Sequence, residues 1–146
     1  MSGERYELST WESMELLGST GIGRLCLIEQ GYPLAVPVNY RIDGTSVGAQ
    51  TVVIRTAPNS LIGRYEGPAS LEVDHIDLGA GEAWSVLVRG TLRRVLGTHD
   101  LPDPLPLLPE GRLQWMTMCV GAVSGRRFRL EAGGQAFVVE WAMVPH

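Results

Sequence analysis

The sequence predicts a mostly β protein, a closed or split barrel of six or more antiparallel strands with one or two short helices. Short β-rich runs are separated by turn signals such as Gln30-Gly31 and Asp43-Gly44, the pattern of successive hairpins. Apolar residues alternate with small or polar ones along residues 34–42, as in a strand with one buried face. The length of 146 residues fits a single domain spanning residues 1–146.

One short amphipathic helix is predicted at the start of the fold. Ser9 followed by Glu12 fits a capping box, in which each residue satisfies a backbone amide of the other. The residues after the cap supply an apolar helical face and then a stop, in the order Trp11, Met14, Leu17 and Gly18.

The strands are predicted to follow in order, at residues 22–29, 34–42, 47–56, 69–76, 84–96 and 113–123, with a further apolar run at 136–144. A single helical turn from Leu61 to Tyr65, capped by Asn59 or Ser60, interrupts them. The Pro-rich residues 102–109 are expected to form a surface connection, and Ser124-Gly125 a turn.

Composition and charge exclude several classes of protein. With 45% hydrophobic and 19% charged residues the chain is neither disordered nor fibrous, and a net charge of -4 argues against a general nucleic-acid binder. Charges in residues 1–8 exclude a signal peptide, and no apolar run is long enough to span a membrane, so a cytoplasmic location is expected. Cys26 and Cys119 are expected to be unpaired core thiols.

The segment 54–60 combines the components of an anion site. Arg55 offers a guanidinium fork, Thr56 and Ser60 offer hydroxyls, and the amides that open the next helical turn are expected to point towards an anion. Arg64, one turn later, can add a second cation. The alternative, equally compatible with the spacing, is an ordinary Ser or Asx turn with Arg55 exposed to solvent.

Other chemistry-bearing patterns are weak. His75 stands between acidic residues, but strand alternation places it and Asp74 on opposite faces, so catalysis by His75 is not expected. The chain has no Ser-His-Asp order, phosphate-loop lysine motif or dinucleotide glycine fingerprint, which excludes the usual hydrolase and nucleoside-triphosphatase interpretations.

Four ordered motifs resemble the pyridoxamine phosphate oxidase-like flavin-binding family. They are Ile22-Gly23-Arg24-Leu25, Pro37-Val38-Asn39-Tyr40, Arg55-Thr56 with Ser60, and Trp84-Ser85-Val86-Leu87-Val88-Arg89-Gly90. The resemblance runs from the first helix to about residue 95 and implies a six-stranded split barrel that forms a homodimer. It also implies flavin mononucleotide (FMN) bound in grooves between the two subunits.

The resemblance also implies a set of cofactor-binding residues. Arg55, Thr56 and Ser60, helped by Arg64, would hold the phosphate, and Pro37, Val38 and Asn39 would line the isoalloxazine ring. Ser85 would reach in from the partner subunit, with Trp84 beside it in the same motif. Two positions depart from the family pattern: Leu61 replaces the usual lysine after the serine, and Thr117 replaces an arginine that relatives often carry.

The functional prediction is an FMN-dependent oxidoreductase that acts on a small molecule, in which the cofactor performs hydride transfer and no side-chain acid or base is required. The alternatives are a protein that binds a flavin, a deazaflavin or haem without turnover, and a dimeric barrel with no cofactor. The partners expected are a second copy of the chain and a small-molecule substrate, with no nucleic acid and no membrane.

Overall fold

The computed structural model describes residues 3–44, 50–96, 102–104 and 114–130. Its elements are β1 (Gly3–Leu8), α1 (Thr10–Gly18), β2 (Ile22–Glu29), β3 (Tyr32–Asn39), β4 (Arg41–Asp43), β5 (Thr51–Thr56), α2 (Leu61–Arg64), β6 (Gly67–Asp77), β7 (Glu82–Val95) and β8 (Gln114–Leu130). The predicted strand at 136–144, the start of the strand at 47–56 and most of the Pro-rich connection lie outside the described residues.

The strands form one antiparallel sheet in the order β3-β2-β6-β7-β8-β5-β4, and β1 pairs with β8 off this path. The two ends of the path, β3 and β4, are separated in the chain only by Tyr40, so the sheet is rolled. The predicted mostly β antiparallel fold is confirmed, with eight strands among the described residues where six were expected. Two differences explain the number: β1 was not predicted, and the strand expected at 34–42 is divided at Tyr40, whose hydroxyl donates to the carbonyl of Leu17 at the end of α1.

Helix α1 begins as predicted. The Ser9 hydroxyl accepts from the Glu12 amide at 3.1 Å and the Glu12 carboxylate accepts from the Ser9 amide at 3.1 Å, which completes the capping box. Met14 and Leu17 are buried, whereas Trp11, expected on the same face, is exposed. No helix among the described residues is long and apolar enough to cross a membrane.

Ser124-Gly125 is not a turn, which corrects the sequence prediction. Strand β8 continues through both residues and pairs there with β7 and β1. The glycine is needed for a close approach instead, because a Cβ at position 125 would lie 2.4 Å from the hydroxyl oxygen of Ser13 on α1.

The core lies inside the rolled sheet, and α1 packs against one end of β8. Its largest fully buried side chains include Tyr40, Leu17, Leu25, Leu27, Ile54, Leu71, Leu92, Met116 and Met118. Both cysteines are free, as predicted, but neither lies in the core, since Cys26 is half-buried and Cys119 is exposed. Alternation explains this, because their strand neighbours Leu25, Leu27 and Met118 take the inward positions.

Candidate functional site

Arg55 lies at the end of β5 and is held on two sides. Its Nη1 donates to Asp103 Oδ2 at 2.6 Å. Its Cζ lies 4.8 Å from the centroid of the Trp115 ring, and Trp115 is the residue paired with Arg55 on the neighbouring strand β8. The Arg55 side chain is only 22% exposed. Arg55 is therefore not exposed to solvent, which corrects that part of the alternative, whereas the Ser turn that the alternative also predicted is present at Ser60. Its Nε is buried and has no hydrogen-bond partner within the described part of the chain.

Thr56, Ser60 and Arg64 meet at the start of α2, where the helical turn is capped as predicted. The hydroxyls of Thr56 and Ser60 are 2.9 Å apart, and the Ser60 hydroxyl donates to the carbonyl of Ala57 at 2.7 Å. The same Ser60 oxygen accepts from the Gly63 amide at 3.1 Å, and Arg64 Nε donates to the Ser60 carbonyl at 3.4 Å. One of the amides that open this turn, where an anion was expected, is thus bound to Ser60 instead.

Two neighbours shape this turn. A Cβ at Gly63 would lie 2.2 Å from the carbonyl oxygen of Ala57, so the turn closes only with glycine at this position. Leu61, which stands where the family resemblance leads one to expect a lysine, is half-buried and packs against the hydrophobic core. The cation at that position is therefore replaced by an apolar packing contact.

A second group of predicted residues lies on the outer face of the sheet. Arg24 is directly opposite Pro37 on β3 and opposite Glu72 on β6, and Asp74 is opposite Ser85 on β7. Because side chains alternate along each strand, Pro37, Asn39 and Ser85 share this face, while Val38 between the first two is buried inside. The structure thus brings Pro37, Asn39 and Ser85 onto one surface, with β2 and β6 between them.

The centre of that outer face carries a charge cluster that the sequence analysis did not identify as a site. Arg24 Nη1 lies 3.0 Å from Glu72 Oε2 and 2.9 Å from Asp74 Oδ2. Partial burial raises the pKa of Glu72 to about 7, aided by the hydrogen bond and negative charge of Asp74 and opposed by Arg24. The sequence feature that could have identified this cluster is the spacing of Glu72 and Asp74, which are two residues apart and therefore share one face of the strand.

Trp84 occupies a different environment from its neighbour Ser85. It faces the opposite side of β7, packs against the core, and lies with its ring centroid 6.4 Å from that of His75. As predicted, His75 and Asp74 are on opposite faces of β6, opposite Trp84 and Ser85 respectively. Within this chain the structure does not bring Trp84 to the surface shared by Pro37 and Ser85, and a role for Trp84 in cofactor binding stays a prediction.

Ser85 and Arg55 are far apart in one chain. Strand β8 pairs with Arg55 at Trp115 and with Ser85 at Arg126, so roughly 35 Å of extended strand separates the two positions.

A cleft lies at the end of the ring-lining segment. It has a volume of about 480 Å³, and its lining includes Asn39, Tyr40, Arg41 and Pro104. Pro104 follows directly after Asp103, the partner of Arg55, and is buried. The segment 102–104 therefore lies between the end of β5 and the end of β3.

Comparisons with known proteins agree with the fold and the motifs. The family model for pyridoxamine 5′-phosphate oxidase matches residues 9–105. A protein of Corynebacterium glutamicum ATCC 13032 Kitasato, provisionally assigned as a pyridoxamine 5′-phosphate oxidase, has a similar structure with a TM-score of 0.73 and 27% identity, over 89% of this chain and 97% of that one. No curated protein matches the sequence significantly.

Two further solved structures are similar and carry names that include a ligand. The FAD-binding protein of Mycobacterium smegmatis has a TM-score of 0.67 and 25% identity, over 86% of this chain and 100% of that one. A FAD-binding protein of Mesorhizobium loti has a TM-score of 0.71 and 23% identity, over 88% of this chain and 100% of that one, and shares the fold.

Proposed function

This chain belongs to the pyridoxamine 5′-phosphate oxidase family, and from that membership we propose that it is a homodimeric, FMN-binding oxidoreductase acting on a small molecule. The observation that carries the proposal is the environment of Arg55. A guanidinium that lies over an indole ring, with one buried nitrogen that has no hydrogen-bond partner among the described residues, is chemically suited to a phosphate group. The FAD-binding relative from Mycobacterium smegmatis supports a flavin as the ligand.

The residues present fit a phosphorylated flavin in two places. Arg55, with Thr56, Ser60 and Arg64 at the adjacent turn, would hold the phosphate. Pro37 would lie against the flat ring, because a proline removes one hydrogen-bond donor from β3 and leaves an exposed apolar surface. When bound, a flavin supplies hydride and electron transfer through its own ring, so the chain has to bind, orient and exclude water.

A second copy of the chain is part of the proposal. Because Ser85 and Arg55 are far apart within one protomer, a cofactor site that uses both needs Ser85 from a partner subunit. The outer face of β2 also exposes two large apolar side chains, Ile22 and Ile28, which are 60% and 57% exposed. Large apolar side chains exposed on a sheet face are compatible with an interaction surface.

One spectrum and one titration test the proposal. Purified protein reconstituted with FMN should retain yellow colour and flavin absorbance after desalting, and addition of a reduced nicotinamide should bleach it. Analytical ultracentrifugation of the same sample should find a dimer. If the protein retains no flavin after reconstitution, the proposal that it binds a flavin is wrong. If the flavin is retained but is never reduced, the proposal that the protein is an oxidoreductase is wrong.

A barrel without a cofactor is the second candidate, and two observations favour it. Asp103 already neutralises Arg55, and Leu61 supplies no cation. In the reconstitution experiment this candidate predicts a colourless dimer. Binding of a flavin, a deazaflavin or haem without turnover would instead give a coloured protein that the reduced nicotinamide does not bleach.

A further inference from the structure

We infer that the Asp103 carboxylate competes with a phosphate-bearing ligand for Arg55, and that such a ligand has to displace the carboxylate in order to bind. Asp103 thereby sets the selectivity between phosphorylated and unphosphorylated ligands. The inference rests on the proposed function for the flavin nature of the ligand. Its other premises are the contacts of Arg55 itself.

The first step is the position of the carboxylate. Asp103 Oδ2 lies 2.6 Å from Arg55 Nη1, the donor that a phosphate oxygen would use. A dianionic phosphate brought to the same nitrogen would stand beside a carboxylate of like charge. The two anions therefore compete for Arg55, and occupancy by one disfavours the other.

The second step is that Asp103 satisfies Arg55 incompletely. It contacts Nη1, while Nε remains buried and without a hydrogen-bond partner within the described residues. A buried donor without a partner destabilises the state that contains it. A phosphate, with three oxygens, can bond more than one nitrogen of a guanidinium, so it can satisfy Arg55 more completely than the contact of Asp103 with Nη1 does.

The third step is that Asp103 can leave at low cost. Its side chain is 45% exposed, and an ion pair with that much exposure adds little to stability. It is also placed on Arg55 by its neighbours, because it stands between Pro102 and Pro104, and Pro104 is buried beside the cleft that contains Asn39 and Arg41. Prolines on both sides restrict the backbone, so displacement by a ligand requires only that the exposed carboxylate side chain turn into solvent.

The test compares Asp103→Asn with the wild type, using inorganic phosphate, FMN and riboflavin as probes. Binding of phosphate is followed by its stabilisation of the protein against heat, and binding of the two flavins by fluorescence quenching. Asp103→Asn should bind phosphate and FMN about three- to tenfold more tightly than the wild type, which is the range expected when one exposed like charge is removed. The affinity for riboflavin should not change.

The matched control is Glu66→Gln, which neutralises the carboxylate of another ion pair, that with Arg94 at 3.2 Å, and should change none of the three affinities. Thermal denaturation without ligand checks that each variant is folded, which a cooperative unfolding transition would show. If Asp103→Asn binds phosphate no more tightly than the wild type, or binds FMN more weakly, Asp103 does not compete and the inference is overturned. If phosphate binding tightens while no flavin binds any variant, the competition stands and the proposed flavin function fails.

Discussion

The guanidinium of Arg55 lies over the indole ring of Trp115, 4.8 Å from Cζ to the ring centroid, with the two residues directly opposite each other on β5 and β8. A cation held in this way on a nearly buried tryptophan contributes to folding as well as to binding. The two contributions can be separated by experiment.

Arg55→Ala should lower the free energy of unfolding by about 1 to 2 kcal/mol, because it removes a partly desolvated cation-π contact and the ion pair with Asp103. Urea denaturation measures the change. Arg94→Ala removes a cation from the more exposed ion pair with Glu66 and should cost less than about 0.5 kcal/mol. Equal losses in the two variants would show that the contact with Trp115 adds nothing.

Arg55→Ala should also weaken FMN binding by about one to two orders of magnitude, because a charge-assisted contact with the phosphate is lost. Riboflavin has no phosphate, so its affinity should hardly change. Fluorescence titrations of both ligands give the contrast, with Arg94→Ala as the control cation. Unchanged FMN binding by Arg55→Ala would mean that the phosphate is not held by this residue.

Leu61→Lys should tighten FMN binding relative to riboflavin by about three- to tenfold, because it places a cation beside the proposed phosphate. It should also cost about 1 kcal/mol of stability, since Leu61 packs against the core and a lysine has to extend its ammonium into solvent. Leu61→Gln loses the same packing without gaining charge. If the two variants bind FMN equally, the charge of the lysine has no effect at this site.

Gly63→Ala should destabilise the protein by about 1 to 3 kcal/mol, because the new Cβ would lie 2.2 Å from the Ala57 carbonyl oxygen and the turn has to open. Gly18→Ala is the matched control, since a Cβ there would meet nothing within 4 Å. Thermal denaturation of both variants compares them directly. Similar melting temperatures would show that the turn at Gly63 opens without cost.

The charge cluster at Glu72 predicts a pH dependence of stability. In the unfolded chain this carboxyl has a pKa near 4.5, and in the folded protein its pKa is about 7, so between these pH values the unfolded chain loses the proton and the folded protein keeps it. Stability should therefore fall as the pH rises from 4.5 to 7 and level off above.

Glu72→Gln should abolish this fall and be more stable than the wild type at pH 8 by on the order of 1 kcal/mol, a figure reduced for solvent screening because the side chain is 26% exposed. Urea denaturation between pH 4.5 and 8 measures the profile, and Glu66→Gln is the control that should keep the wild-type slope. A wild-type profile that is flat over this range would contradict the prediction.

The elements that could be predicted from sequence are those with local signals. Strand β2 has the predicted bounds, Ile22 to Glu29, because its apolar alternation and the Gln30-Gly31 turn are both local, and both turn residues have positive φ, at 51° and 82°. Strand β1 has no such signal, since its residues are nearly all exposed. It is a strand because β8 pairs with it.

The candidate site was predictable only in part, for the same reason. Thr56, Ser60 and Arg64 meet through short-range bonds that the spacing already indicated. Asp103 lies 48 residues from Arg55 in the chain, and no local sequence pattern predicts an ion pair between residues so far apart. Leu61 could be recognised as a departure from the family, but its packing against the core depends on distant residues.

The length of β8 has a consequence for how the chain acquires its structure. This one strand pairs with β1, β5 and β7, and its pairing with β1 joins Leu130 to Gly3. During synthesis, β1 lacks its partner strand and β5 has only the short strand β4 beside it until residues 114–130 have left the ribosome. Contacts of such long sequence separation slow folding, because loop-closure entropy is lost before the contacts form. We therefore expect the sheet to be completed only after β8 has been synthesised, and the exposed strand edges of the nascent chain to be accessible to chaperones until then.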